Sequence, residues 1–265
     1  DARILSVCRR SLITARTACD RRTGAIVASV SSQLPYALDW PRDGAFINRA
    51  LDTAGYAEMV QAHNRFYARV QRSGAILPGS TEMNYWSDGL SSGFIPFEID
   101  EAALLVWTLG DHALFIADPS ARQRYLSEVY PAIRRGADLL VSWRDPASGL
   151  PLPANEDDNL PLTQGLQGSI TAHLALWSAI QAGTASGEDG ARIAAWRARR
   201  AELGAAIDAR FWDPARGTFV DTSLNAPGAT AWVLWPAGFL APTDARARAT
   251  GDWLYAAVRP VLDRQ

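Results

Sequence analysis

Apolar positions recur at steps of three and four along most of the chain, which predicts a protein built almost entirely of helices. The clearest stretch is 56–71, where Tyr56, Met59, Val60, His63, Phe66, Tyr67 and Val70 share one face. Residues 99–117 differ: apolar side chains run nearly all the way round, from Ala102 to Trp107 and again from Ala113 to Ala117. Such a helix wants cover on every side. Further helices are predicted over 3–12, 43–54, 121–143, 169–182, 190–210 and 243–262, the last with Thr243 as its cap. Residues 227–240 are apolar enough for another, against which stand Pro227, Pro236 and two glycines. Short extended pieces are expected at 24–30 and 218–222. Loops are marked at 89–93, 145–149 and 213–217.

Amphipathic helices thus alternate with more uniformly apolar ones. Two concentric layers of helices would produce that order, with inner helices covered and outer ones keeping a wet face. Eight or nine helices fall short of a closed double ring, which needs about twelve. A plain bundle or a solenoid of helix pairs is the competing architecture, although no sequence repeat is evident.

Composition narrows the class. The chain has 265 residues, 48% apolar and 20% charged, with a net charge of −2, as expected of a folded globular protein. No basic stripe favours nucleic acid, and no apolar run is long enough to span a bilayer, so neither partner is expected. The chain starts at Asp1 rather than at a methionine, which suggests a processed start. Cys8 and Cys19 permit a disulfide without requiring one. The compartment stays open, with a periplasmic or secreted setting preferred to a cytoplasmic one. Ten tryptophans are many for this length and serve either as core or as aromatic platforms along a cleft.

Candidate chemistry gathers at loops and helix starts. Trp40-Pro41-Arg42-Asp43 sets an aromatic face beside a donor fork and paired acceptors, a combination that can clamp neighbouring sugar hydroxyls. Phe97-Glu98-Ile99-Asp100-Glu101 brings three carboxylates to the head of the most apolar helix, where a polar cleft would explain them better than capping alone. Asn84-Tyr85-Trp86-Ser87-Asp88-Gly89 would form a binding wall. Asn155-Glu156-Asp157-Asp158-Asn159 is dense enough in carboxylates to keep one protonated at neutral pH. Its spacing fails the EF-hand pattern, and a solvated acidic turn is the bland alternative. Trp232-Val233-Leu234-Trp235-Pro236 reads as packing. There is no phosphate-cradling glycine loop, no Gly-x-Ser-x-Gly elbow and no zinc-ligand spacing, so no cofactor or metal is assigned.

In their order along the chain, several of these segments resemble the glucoamylase-like glycoside hydrolases, family 15. Thr23-Gly24-Ala25-Ile26-Val27-Ala28 is similar to that family's lead-in, and Asp39-Trp40-Pro41-Arg42-Asp43-Gly44-Ala45 to its Trp-x-Arg-Asp motif. Phe97 to Leu104 is similar to its inner-helix start, and Gly149-Leu150-Pro151-Leu152-Pro153 to the approach to its acid loop. Phe211-Trp212-Asp213-Pro214 with Gly217-Thr218-Phe219 is similar to a later turn. The resemblance implies an all-α (α/α)6 barrel that releases glucose from the non-reducing ends of α-glucans by inversion.

By the same resemblance, Arg42 and Asp43 hold the terminal glucose. Glu156 is the general acid with Asp157 in reserve, where the family usually shows Trp-Glu-Glu. Trp40, Trp86, Asp100 and Glu101 complete the substrate-binding set. Inversion also needs a general base across the sugar, with the carboxyl groups roughly 6.5–9.5 Å apart. The family draws that base from the last third of its barrel. Residues 1–265 are therefore expected to form one catalytic-type barrel domain whose closing helices lie in a portion not given or in a second chain. The partner is an oligosaccharide or polysaccharide. A non-catalytic carbohydrate-binding barrel and a trehalase-like hydrolase are the alternatives.

Overall fold

The computed structural model describes residues 2–30, 37–93, 95, 97–221 and 227–262. Among them the elements run α1 (Ala2–Ala18), α2 (Pro41–Thr53), α3 (Ala57–Val70), α4 (Ile99–Phe115), α5 (Pro119–Ser142), β1 (Ala154–Glu156), β2 (Asn159–Thr163), α6 (Leu166–Ser186), α7 (Gly190–Phe211), β3 (Trp212–Asp213), β4 (Thr218–Phe219), α8 (Pro227–Leu234) and α9 (Ala245–Leu262). The protein is all-α in class, with two small antiparallel hairpins, β1–β2 and β3–β4. No helix among the described residues is long and apolar enough to cross a membrane.

Neighbour relations show two layers. Even-numbered helices touch one another in series, α2 with α4, α4 with α6 and α6 with α8. Odd-numbered helices do the same outside them, α3 with α5 and α5 with α7. α3 also packs on both α2 and α4, α5 on both α4 and α6, and α7 on α6. This is the barrel-like order that the alternation of apolar patterns predicts. The inner helices α4 and α6 are buried along nearly their whole length, whereas α5 and α7 bury one stripe and keep the other wet. The main core runs between the layers through Phe66, Leu105, Val129, Ile133, Leu176, Trp196, Leu203 and Phe219.

Local chemistry explains where the boundaries differ from expectation. Helix α1 runs to Ala18 rather than stopping at 12, and within the added turns Thr14 and Thr17 turn their hydroxyls back onto the carbonyls of Arg10 and Ile13 (3.0 and 2.9 Å). At α9 the cap is Asp244 and not Thr243: Asp244 Oδ1 accepts the Arg246 amide at 2.8 Å. Over 24–30 only Ile26 pairs, in a lone bridge to Cys19, so no strand forms there. The apolar run from 227 is helical only to Leu234, ahead of Pro236, which lacks an amide proton. Cys8 and Cys19 are free thiols.

The largest departure lies at the acidic stretch. What reads as a loop is a hairpin, with Glu156 opposite Asn159 and a two-residue turn of Asp157 and Asp158 between them. Both aspartates have positive φ (52° and 60°), the conformation a tight hairpin turn demands and one that aspartate tolerates better than most residues.

Candidate active site

Three segments far apart in sequence meet at one end of the inner helices: the turn into α2, the head of α4 and the β1–β2 hairpin. Arg42 is the hinge of the meeting. Its guanidinium bonds Asp100 and Asp158, and lies 3.5 Å from Glu101 Oε1. Its backbone amide donates to Glu101 Oε2. Glu98 joins from the residue before α4, where its Oε1 accepts the Asp158 amide at 2.8 Å and its backbone bridges to Asn155. Pro41 at the first position of α2 fits because an amide proton there has no helical partner.

The cluster is rich in charge and poor in donors. The side chains of Asp100 and Glu101 are wholly buried, and that of Arg42 is 11% exposed. Glu98 Oε2, Asp100 Oδ1 and Glu101 Oε1 accept no hydrogen bond. Burial, with Asp100 adding to it, pushes the Glu98 carboxyl up to about 8. Burial also lifts Glu101, Asp43 and Asp158 above the ordinary carboxylate range, against the pull of Arg42 in each case. A ligand with several hydroxyl protons would supply the missing donors.

Glu156 has a different setting. It is 2% exposed, and its two carboxylate oxygens accept the amides of Gly165 and Gly168, each at 2.7 Å. It therefore sits on the N-terminus of α6, where the amides favour the anion. Burial opposes them and wins, and the carboxyl rises to about 7. The approach needs a glycine: a Cβ at Gly168 would lie 2.4 Å from Ile99 Cγ2 and 2.9 Å from Glu156 Cδ. The next amide, Leu166, donates to Asp221 Oδ2 at 2.6 Å, and Gln167 reaches Asp100 Oδ2 at 2.8 Å. The head of α6 is thus lashed to the head of α4 and to the segment after β4.

The remaining sequence-derived candidates divide. Asp43 is half-buried in the first turn of α2, beside Arg42. Asp157 occupies the hairpin turn and Asp158, its neighbour, takes the bond to Arg42. Trp40 is 5% exposed and packs with Leu38, Met83 and Ile95. Trp86 is 47% exposed and follows Tyr85, whose backbone pairs with Asp39. Glu98 and Asp158, from the acidic segments 97–101 and 155–159, also belong to the constellation, and Gln167 and Asp221 join it from outside those segments. Nothing in the sequence around Gln167 or Asp221 marks them.

Glu98, Glu101 and Asp158 offer oxygens within 4.8 Å of one another, a spacing that could hold a metal ion. Arg42 already bonds two of the three and supplies the positive charge at that point. The wider surface hollows, of about 570 and 640 Å³, lie elsewhere, along α1 and α2.

No protein-family model matches the chain. A stretch of 130 residues, 49% of this chain, is 27% identical to the uncharacterized glycosyl hydrolase MJ1610 of Methanocaldococcus jannaschii and spans 20% of that protein. Among solved structures, a wild-type glycosidase superposes with a TM-score of 0.76 at 17% identity, over 96% of this chain and 70% of that one. A variant of a glycosidase in complex with glucose does so equally well, at 18% identity and the same coverage. A rhamnosidase from Klebsiella oxytoca with rhamnose bound matches with a TM-score of 0.62 and 17% identity, over 83% of this chain and 42% of its own. The chain has the helical fold of these glycosidases.

Proposed function

We propose that this chain carries the sugar-holding and proton-donating part of a glycoside hydrolase. The observation that carries the reading is a group of three buried carboxyl oxygens without a hydrogen-bond partner, gathered around one arginine at the end of the inner helices. A sugar ring offers hydroxyl protons at the spacing that adjacent carboxylates can accept. Arg42 and Asp43 hold the terminal ring, and Asp100, Glu101 and Glu98 take its remaining hydroxyls. The shared fold with glycosidases supports the class, and the match to a glycosyl hydrolase over half of the chain points the same way.

Glu156 is the proposed general acid. A carboxyl held near neutrality keeps a share of its molecules protonated at pH 7, the state needed to protonate a leaving glycosidic oxygen. Asp157, half-buried in the hairpin turn, is the reserve. Bond cleavage would pass that proton to the leaving oxygen while a second carboxylate, on the opposite face, draws a proton from the attacking water. That base is to be sought in a segment that completes the ring. The finer proposal is release of glucose from the non-reducing ends of α-glucans or α-gluco-oligosaccharides with inversion, which the resemblance to the glucoamylase-like enzymes favours. The rhamnosidase neighbour makes deoxyhexosides the competing substrate class.

The decisive experiment uses the natural polypeptide with α-gluco-oligosaccharides and aryl α-rhamnosides as substrates. Released sugar and its first-formed anomer are followed by NMR. Glu156→Gln is expected to lower turnover by about 10²–10⁴-fold while the sugar still binds. Undiminished turnover in that variant would reject the acid assignment, and release of the α-anomer from an α-glucoside would reject inversion.

A further inference from the structure

One residue back from the site, a second buried polar system begins at Asp39 and runs through α2, α3, α4 and α5. Its hydrogen bonds can be assigned in sequence from a fixed point. Asn64 Nδ2 donates to the backbone carbonyl of Thr108 at 3.2 Å, and a carbonyl can only accept. The amide orientation of Asn64 is thereby settled, so its Oδ1 faces Asn48 at 3.0 Å and must receive a proton from Asn48 Nδ2. Asn48 then presents its Oδ1 to His63 Nδ1 at 2.8 Å, and that ring nitrogen must carry a proton. The other ring nitrogen, Nε2, lies 2.9 Å from Asp39 Oδ2.

One proton remains to be placed between Asp39 and His63. Asp39 already accepts the Ile26 amide on Oδ2 and the Tyr67 hydroxyl on Oδ1, both at 2.7 Å, and these donors favour its anion. The proton therefore goes to the ring. We infer that His63 is a doubly protonated imidazolium clamped between Asp39 and Asn48, and that this charged pair positions the Arg42–Asp43 turn for its ligand. The second half rests on the glycoside reading above; the first does not.

The mechanical link is short. Asp39 is held by its side chain to Ile26, Tyr67 and His63, and by its backbone to Tyr85 in both directions (2.8 and 2.9 Å). Tyr67 Oη also lies 3.3 Å from the carbonyl of Trp40, which in turn accepts the Gly44 amide at 2.8 Å and so closes the first turn of α2. The fit against that turn leaves no spare space: a Cβ on Gly44 would fall 1.8 Å from Tyr67 Oη and 2.7 Å from His63 Cε1. Arg42 and Asp43 lie between the two braced ends, Asp39 and Gly44. The other acidic groups acting on this corner are Asp43 from α2 and Glu101 from α4, both felt by the Tyr67 hydroxyl. His63 is a positioning residue here and touches no sugar.

The test has a spectroscopic arm and a binding arm. In the ¹⁵N-labelled full chain at pH 7.5, two-bond ¹H–¹⁵N correlations are expected to place both His63 ring nitrogens in the protonated range. One nitrogen at the higher shift of a bare lone pair would overturn the charged pair. Tyr67→Phe removes a single donor from Asp39 without changing the ring's shape, and His63→Gln keeps an N–H for Asp39 but removes the charge. Both are expected to weaken glucose and maltotriose binding, measured calorimetrically on folded protein, by about tenfold or more, and to shift the Arg42 guanidinium N–H resonances. Unchanged affinity together with unchanged Arg42 resonances in folded Tyr67→Phe would overturn the positioning role. If the wild type binds neither sugar, the glucoside reading fails, while the His63 and Arg42 resonances still decide this proposal.

Discussion

Two buried polar systems lie side by side at the mouth of the inner helices, and they differ in one respect. In the Asp39–His63–Asn48–Asn64 system each link has a donor for its acceptor, from Ile26 at one end to Tyr125 and Leu109 at the other. In the Glu98–Asp100–Glu101 system, equally buried, one oxygen of each carboxylate goes without a donor. Native proteins satisfy almost all such groups, so a satisfied network reads as architecture and a cluster of unsatisfied acceptors as a place prepared for something else. The architecture braces the backbone from which Arg42 projects. Support and site are adjacent because a clamp is only as well aimed as the turn that carries it.

The contrast breaks most severely at Arg42, among the described residues the one guanidinium bonded to the site's carboxylates. Arg42→Met leaves Asp100, Glu101 and Asp158 buried or half-buried without their counter-charge, and is expected to destabilise the fold by about 3–5 kcal/mol, read by urea unfolding. A loss under about 1 kcal/mol would show that the carboxylates hold their own protons and do not depend on the arginine. In the braced region, the matching lesion is steric. Gly44→Ala drives a methyl into the Tyr67 hydroxyl and the His63 ring and should cost about 1–3 kcal/mol. Gly190→Ala, which meets nothing within 4 Å at the start of α7, is the control and should leave the unfolding midpoint in place.

A smaller effect than at Arg42 is expected where one bond of the satisfied system is cut without a change of shape. Tyr67→Phe takes the 2.7 Å hydrogen bond from Asp39, which keeps its bonds to Ile26 and His63. The expected loss is about 1.5–3 kcal/mol by the same urea assay, the range for a hydrogen bond to a charged group. A loss beyond that range would mean that the network acts as a single cooperative unit.

Much of this arrangement is legible in the sequence, and the exceptions share a cause. The all-round apolar pattern of 99–117 announces an inner helix; α4 is that helix, and its head carries Asp100 and Glu101, buried beside Arg42. The joining of the 40–43 turn, the α4 head and the acidic stretch follows from their chemistry, since a lone arginine and many carboxylates find one another. What the pattern hides is set by distant residues or by backbone shape. Trp40 is covered by Met83 and Ile95, more than forty residues away, and no local signal distinguishes it from an exposed ring. The hairpin at 154–163 is masked because Asp157–Asp158 serves as a turn through its φ angles, whereas its composition advertises only charge. Asp221 reaches the head of α6 from 55 positions away. His63 looks like one more member of an amphipathic face; only the bonding order through Asn64 and Asn48 shows that its Nδ1 carries a proton.

The finest discrimination between the two regions comes from pH. Glu98 and Glu156 are raised by burial to about 8 and about 7, above the ordinary value of 4.5. A carboxyl raised on folding binds its proton more tightly in the folded chain than in the unfolded one. Its contribution is therefore complete below about pH 4.5 and is lost as pH climbs through the folded value. Stability should fall between about pH 5 and pH 8.5, first through the window that ends near 7 and then through the one that ends near 8. Glu98→Gln keeps an oxygen for the Asp158 amide and removes the titration, so the fall above about pH 7 should disappear and the fall below it should shrink to about half. Urea midpoints at four or five pH values, for wild type and variant, measure both. If the wild-type midpoint stays level across this range, the acidic cluster is already ionised and compensated in the folded protein, and its unsatisfied oxygens lose their claim to be a ligand site.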